Sequence, residues 1–557
     1  MDRMIIVMLM PMAIIIGASQ QSNDVADRFP LSIIHINDFH ARFEPTDTSG
    51  GTCDEGELCI GGYARTVYMV KRLLEEQKDH NPIYINAGDS FQGTLWYNIG
   101  RWNVTQEFLN LLPADAMTLG NHEFDHGVAG VVPFLKTVQT SMLVANMDCA
   151  HEPTMEGLYE KSKILERGGR KIGLIGVILE TTYDLANTGN LIFRNESHTI
   201  REEARFLTEQ GANIIIVISH CGYDVDKLIA EQAGDVIDVI VGAHSHTFLY
   251  TGVPPGPDSS RGDYPTEVTH SNGHRVLIVQ AGAYAKYVGN LTVYFDANGD
   301  VIDFEGAPIY MSADVPEDEI VLKALQPWKE VIDKEGKVVV GRTLVDLTKS
   351  DCGTRECNLG NFVCDSMLHT FVGLTPFDQP GWTNVSIALA ATGGLRVPLL
   401  RGNLTYAHMV SMSPFENTLI ASNLPGQNLI DALEYAASKI DLENGVTSSY
   451  VMLQVSGLKV TFDYTKPVNK RVISVLARCA DCDVPTYEPL DPAKTYRVIT
   501  SSFLQGGGDG YSMLSTGTDV QTSITDIDAL ISYTSNVDPI YTGLEGRITV
   551  LNGNTAS

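Results

Sequence analysis

Along the first half of the chain, brief apolar runs alternate with longer stretches whose apolar residues recur at helical spacing. Leu31–Ile36, Pro82–Asn86, Lys171–Ile178, Ile214–Ser219, Val236–Gly242 and Val276–Ala281 are short and rich in β-branched residues, the pattern of strands buried on both faces. Gly62–Gln77 and Ser197–Glu209 carry the helical period between them. Strand and helix units in alternation predict an α/β domain. It is expected to end with a strand Leu291–Phe295 and the turn Ala297-Asn298-Gly299-Asp300. Pro316–Lys334 then reads as one helix, with an acidic first turn and apolar residues at helical spacing. This helix is expected to connect the first domain to a second α/β region reaching about Leu551. The expected layout is a leader over 1–19, a first domain over 28–312, a connecting helix over 313–336 and a second domain over 337–551.

Composition narrows the class. The chain has 557 residues, too many for one ordinary core, and 44% hydrophobic with 19% charged residues is a globular balance. A formal charge of −29 argues against binding nucleic acid through a basic face. A small phosphate substrate remains open if bound cations reverse the local field.

The ends and the cysteines point to a secretory route. Arg3, the apolar run Met4–Ile16 and the small residues Gly17-Ala18-Ser19 read as a signal peptide over 1–19. Arg547–Ser557 is polar, without the hydrophobic tail of a lipid-anchor signal, so a freely secreted, extracellular protein with no membrane anchor is expected. Asn103, Asn195, Asn290, Asn384 and Asn403 open N-x-[ST] glycosylation triplets. Cys53/Cys59, Cys352/Cys357 and Cys479/Cys482 lie close in sequence and read as local disulfides, with zinc thiolates the less favoured alternative. Cys149, Cys221 and Cys364 are left over.

Polar clusters follow the apolar runs. After Leu31–Ile36 come Asn37-Asp38-Phe39-His40; after Pro82–Ile85 come Asn86-Ala87-Gly88-Asp89. After Ala116–Leu119 comes Gly120-Asn121-His122-Glu123-Phe124-Asp125. His220 follows Ile214–Ser219, and Ala243-His244-Ser245-His246 follows Val236–Gly242. Open α/β sheets bind ligands beyond the carboxyl ends of their strands. Asp, His and Asn delivered there from separate strands form a divalent-metal donor set. The donors are too many for one tetrahedral ion and suit a pair of ions that share a carboxylate, the arrangement used for phosphate-ester displacement.

These motifs, NDFH (37–40), GDSFQGT (88–94), GNHEFD (120–125), SHCG (219–222) and GAHSHTFLY (242–250), resemble those of the calcineurin-like metallophosphoesterases, and more narrowly the 5′-nucleotidase/apyrase family. The resemblance runs over nearly the whole mature chain. It implies a four-layer α/β/β/α metallophosphoesterase domain joined by a helix to an α/β nucleotide-binding domain. It implies two divalent metal ions, zinc, calcium, magnesium or manganese. Asp38, His40 and His246 would hold the first, Asn121, His220 and His244 the second, and Asp89 would bridge them. His122 and Asp125 would be the catalytic dyad, and metal-activated water would attack the phosphorus. Phe415 and Phe503 match a pair of rings that sandwich the base, Asp509 a residue that bonds the ribose, and Arg396 an arginine that contacts phosphate.

The sequence departs from the family in its second half. Ala391 stands where an Asn is usual, Gly353 where an arginine is frequent, and Gly506 where an Asn is expected. Arg355 is a candidate substitute for the missing cation. The position expected to pair with Cys364 holds Ala388. Signal-bearing members without an anchor resemble the salivary apyrases of blood-feeding arthropods, in which removal of ADP blocks platelet aggregation. The expected function is therefore hydrolysis of ATP and ADP to AMP. The alternatives are a soluble 5′-nucleotidase making adenosine from AMP, or a non-catalytic nucleotide or platelet-receptor binder on the same fold. The substrate partner is a nucleotide; oligomeric state is not legible.

Overall fold

The computed structural model describes residues 28–551 except 54, 55, 377, 379, 380, 443–445 and 447. The leader over 1–19 lies outside the described residues.

Two six-stranded sheets face one another in the first half. In one, Phe29–Ile36 lies between Ile83–Asn86, to which it is parallel, and Tyr287–Phe295, to which it is antiparallel. The parallel core of the other is Arg170–Ile178, Ile214–His220, Val239–Val241 and Arg275–Val279. Side chains alternate across a strand, and both faces of these strands are covered. Leu31 and Ile33 point between the sheets and join Ile216, Ile218, Val241 and Leu277 in one core. Ile34 and Ile36 turn outward onto Met69, Val70 and Leu73 of the helix Tyr63–Glu76. On the far side, Ile215 and Val217 pack on Ile200 and Leu207 of the helix Glu196–Glu209. The layers run helix, sheet, sheet, helix. Double burial is why the strands read as unbroken apolar runs.

Two sequence expectations are corrected. The turn at 297–300 does not close the domain: it is a hairpin into the strand Val301–Gly306, which pairs back onto Tyr287–Phe295. The new strand is a sheet edge with only Val301 buried, so it carries no apolar run to detect. The connecting helix spans Glu319–Gly336 rather than beginning at Pro316. Asp318 caps it, accepting from the amides of Ile320 and Val321, and its carboxylate also takes Lys71 Nζ at 2.7 Å.

The second half is built on a five-stranded sheet, ordered Leu453–Ser456, Ile387–Ala391, Thr495–Ser501, Thr418–Pro425 and Thr518–Thr525. Ala388, Leu419 and Ile499 on one face meet Phe362 and Leu530 from the helices Asn358–Gly373 and Asp526–Val537. Ile387, Leu389 and Val498 on the other meet Leu429 and Leu433 of Gly426–Ser438. Cys53–Cys59, Cys352–Cys357 and Cys479–Cys482 are disulfide-bonded, and Cys149, Cys221 and Cys364 are free thiols. Among the described residues no helix is long and apolar enough to cross a membrane.

Candidate active site

The strands Phe29–Ile36, Ile83–Asn86, Ala116–Met117, Ile214–His220 and Val239–Val241 end at one edge of the paired sheets, and the loops beyond them converge. Asp38, His40 and His246 form one group with ligand atoms within 4.8 Å of each other; Asp89, His220 and His244 form a second. His40 Nε2 is 3.0 Å from His246 Nε2, and His246 Nε2 is 3.4 Å from Asp38 Oδ1. Asp89 Oδ2 lies 3.1 Å from His220 Nε2 and 3.7 Å from His40 Nε2, so one carboxylate reaches both groups. His244 Nδ1 is 2.9 Å from Asn121 Oδ1. All seven sequence-predicted ligands are brought together.

The backbone at these loops is strained. Asp38, His40, Asp89, His244 and His246 all have positive φ, between 49° and 70°, a region side-chain-bearing residues seldom occupy. Such conformations cost about 1–3 kcal/mol each and persist where surrounding structure holds them. Much of that support is local. Gly88 cannot be replaced, because a Cβ there would stand 2.8 Å from Gly120 N and 2.9 Å from His220 Nδ1. The His244 amide donates to the Asp38 carboxylate at 3.1 Å, as does Asn37 Nδ2 at 2.8 Å.

The donors fit a divalent cation. His220 places Nδ1 2.7 Å from the Ala87 carbonyl, and His40 places Nδ1 3.1 Å from that of Phe91; donation there leaves each Nε2 lone pair aimed at the centre. His220 Nε2 is buried and faces Asp89 Oδ2 at 3.1 Å. Burial drives His40 and His246 well below the usual imidazole value and His244 to about 3, so three rings are neutral donors. Burial also opposes protonation of His220, but Asp89 and Asp38 outweigh it and raise it to about 10. A cation binding there must displace that proton.

His122 lies beside this cluster. Its Nδ1 is 2.8 Å from Asp125 Oδ2, and its amide donates to Asp89 Oδ1 at 3.0 Å. Burial disfavours its charged form, but Asp125 and Asp89 prevail and raise its pKa. Its ring stacks on Phe415 from the second half, with centroids 5.4 Å apart and planes 19° from parallel. Arg396 Nη2 approaches His40 Nε2 at 3.3 Å, and its guanidinium lies 5.6 Å from the Phe415 ring. Asp509, with φ 56°, is raised to about 7 by burial, against the opposing fields of His122 and Arg396. Arg396 thus reaches His40 of the donor cluster, and Phe415 the His122 ring beside it. Phe503 packs against Gly508 in the same loop as Asp509 and, among the described residues, makes no ring contact with Phe415.

Two groups escaped the sequence reading. Glu123 is fully buried, and its carboxylate accepts from the amides of Asp89, Ser90, Phe91 and Gly120, tying two ligand loops together. Its position inside GNHEFD was the available signal. The other is Lys349. The cations acting most strongly on Tyr284, beside His40 and His246, are Arg396, Arg42 and Lys349. The charge of Arg355 acts on Tyr464, in the core of the second half.

Comparison with known proteins now decides the family. The calcineurin-like phosphoesterase profile matches residues 31–248, and the 5′-nucleotidase C-terminal domain profile matches 339–516. The chain belongs to the 5′-nucleotidase family. An apyrase of Tabanus yao is 47% identical over 526 residues, 94% of each chain. A 5′-nucleotidase-related protein of Glossina morsitans morsitans is 48% identical over 94% of this chain and 95% of its own length. The crystal structure of the 5′-nucleotidase precursor from Thermus thermophilus superposes with a TM-score of 0.85 at 34% identity, covering 94% of this chain and 100% of that one. The protein is a metal-dependent nucleotide phosphohydrolase.

Proposed function

We propose that this enzyme is a secreted apyrase that hydrolyses ATP and ADP to AMP, with Asp38, His40, Asp89, Asn121, His220, His244 and His246 holding two divalent ions. The observation that carries the reading is Asp89, whose carboxylate is grouped with His220 and His244 and also lies 3.7 Å from His40 of the other group. Divalent ions there would polarise water and neutralise phosphoryl charge. The protein's own groups do the rest. Asp125 fixes the His122 ring through Nδ1, leaving Nε2 to carry a proton toward a phosphoryl or leaving oxygen. Phe415 and Phe503 grip the base by stacking, which tolerates any base. Asp509 accepts from the ribose hydroxyls, and Arg396 spans the gap between His40 and Phe415 toward the phosphates.

The apyrase names of the Tabanus yao and Anopheles gambiae relatives support the di- and triphosphate preference. ADP removal outside the cell would restrain platelet aggregation, the role that the resemblance to salivary apyrases implies. Asn103, Asn195, Asn384 and Asn403 are exposed, as glycosylation requires; Asn290 is half-buried, with Oδ1 accepting from Gln77. The 36%-identical 5′-nucleotidase of Mus musculus favours the second reading, AMP hydrolysis. Phosphate release from ATP, ADP and AMP, measured in parallel with each metal after chelation, separates the two. Release from ATP and ADP is expected, and release from AMP alone overturns the proposal.

A further inference from the structure

Tyr284 stands on one flank of the ligand cluster, its ring 5.6 Å from that of His40 and 5.2 Å from that of His246. It holds a positive φ of 65°, and its amide donates to the Asp38 carbonyl at 2.9 Å, so its place is tied to a metal-ligand loop. Arg42 packs on its ring, and the charges of Arg396 and Lys349 also act on it. The Arg42 guanidinium lies 4.0 Å from the ring centre, anchored by Nε to the Gly50 carbonyl and Nη1 to the His40 carbonyl. Arg42 is 1% exposed, and among the described residues its Nη2 has no partner. Arg396 reaches His40, and Lys349 Nζ donates to the Arg396 carbonyl at 3.3 Å.

Among the described residues, none of Arg42, Lys349 and Arg396 forms an ion pair with a carboxylate. Asp47, the acid that acts on Arg42, already accepts from the amides of Ser49 and Gly51. Three cations held together in a chain of net charge −29 repel one another and favour an anion among them. The adjoining donor cluster accounts for only one phosphoryl group, and Arg396 runs from that cluster to Phe415. A nucleotide with its terminal phosphoryl group at that cluster and its base at Phe415 would carry its next phosphate along this path.

We propose that Lys349 and Tyr284, together with Arg396, form a subsite for the second phosphate of a nucleoside di- or triphosphate, the one adjoining the bond that breaks. The inference rests on the apyrase reading above. Lys349 supplies a point charge and Tyr284 a hydroxyl donor; Arg42 fixes the tyrosine ring from behind. A nucleoside monophosphate has its only phosphate at the metal ligands and leaves this subsite unfilled.

The test uses the full-length metal-loaded enzyme and the variants Lys349→Met, Lys349→Arg and Tyr284→Phe, each checked for an unchanged thermal midpoint. The ratio of kcat/KM for ADP to that for AMP should fall roughly tenfold in Lys349→Met, the worth of one charge-assisted hydrogen bond. It should fall less in Tyr284→Phe and be largely restored in Lys349→Arg. Calorimetry with inorganic pyrophosphate and inorganic phosphate gives a readout independent of turnover. Wild type should prefer pyrophosphate, and Lys349→Met should lose that preference. Equal losses on ADP and AMP, or an unchanged pyrophosphate preference in Lys349→Met, overturn the subsite. Wild-type release from AMP alone defeats the apyrase reading separately, and the pyrophosphate titration still decides whether Lys349 binds a second phosphate.

Discussion

Replacing Glu123 with glutamine tests whether one buried carboxylate holds the two ligand loops in register. Glu123 Oε2 accepts from Asp89 N at 3.1 Å and Gly120 N at 2.6 Å; Oε1 accepts from Ser90 N at 2.7 Å and Phe91 N at 3.1 Å. A glutamine oxygen can serve one pair of amides, but its NH2 group then faces the other pair, donor against donor. Each buried donor left unsatisfied costs about 1–3 kcal/mol, so about 2–6 kcal/mol is lost if nothing moves. That is a large share of the roughly 5–15 kcal/mol that holds a typical domain together. Relief requires the segments bearing Asp89 and Asn121 to separate, which spoils the metal-ligand spacing. Glu123→Gln should therefore lower the urea midpoint of the metal-free protein, weaken divalent-metal binding and reduce kcat together. A variant with wild-type stability and metal affinity would refute the role assigned to Glu123.

Two further outcomes follow from the geometry. His122→Ala should lower kcat by about 10²–10⁴-fold, the usual worth of a positioned acid or base, while elemental analysis shows metal content near wild type; persisting turnover would dismiss the His122–Asp125 dyad. Asp226 is fully buried, accepts from Ser219 Oγ at 2.5 Å and is raised by burial to about 8 from an ordinary 3.8. The folded state therefore holds a proton that the unfolded state releases, and this group's contribution to stability falls as pH rises from 3.8 to about 8. Asp226→Asn should flatten that fall in urea unfolding measured across the range, and an unchanged slope would contradict it.

The donor cluster was legible in the chain because its ligands follow short apolar runs, so strand and chemistry are read together. Doubly buried strands made those runs conspicuous. The edge strand Val301–Gly306 was hidden by its exposure. Glu123 was quoted within its motif, but its role arises from amides more than thirty residues away, at Asp89, Ser90 and Phe91, which no local pattern reveals. Lys349 and Tyr284 were missed for a related reason. They lie in irregular segments, one in each half of the chain, so no local pattern joins them. Arg355 lies in the short disulfide loop between Cys352 and Cys357, and its charge acts on Tyr464.

The most direct measurement is the divalent-metal content of the purified protein after saturation and removal of unbound ions, compared between wild type and Asp89→Ala. A shared carboxylate predicts two equivalents per wild-type chain, and in Asp89→Ala a loss of at least one equivalent together with phosphate release. A single equivalent in the wild type, or full metal content with full activity in Asp89→Ala, would contradict it.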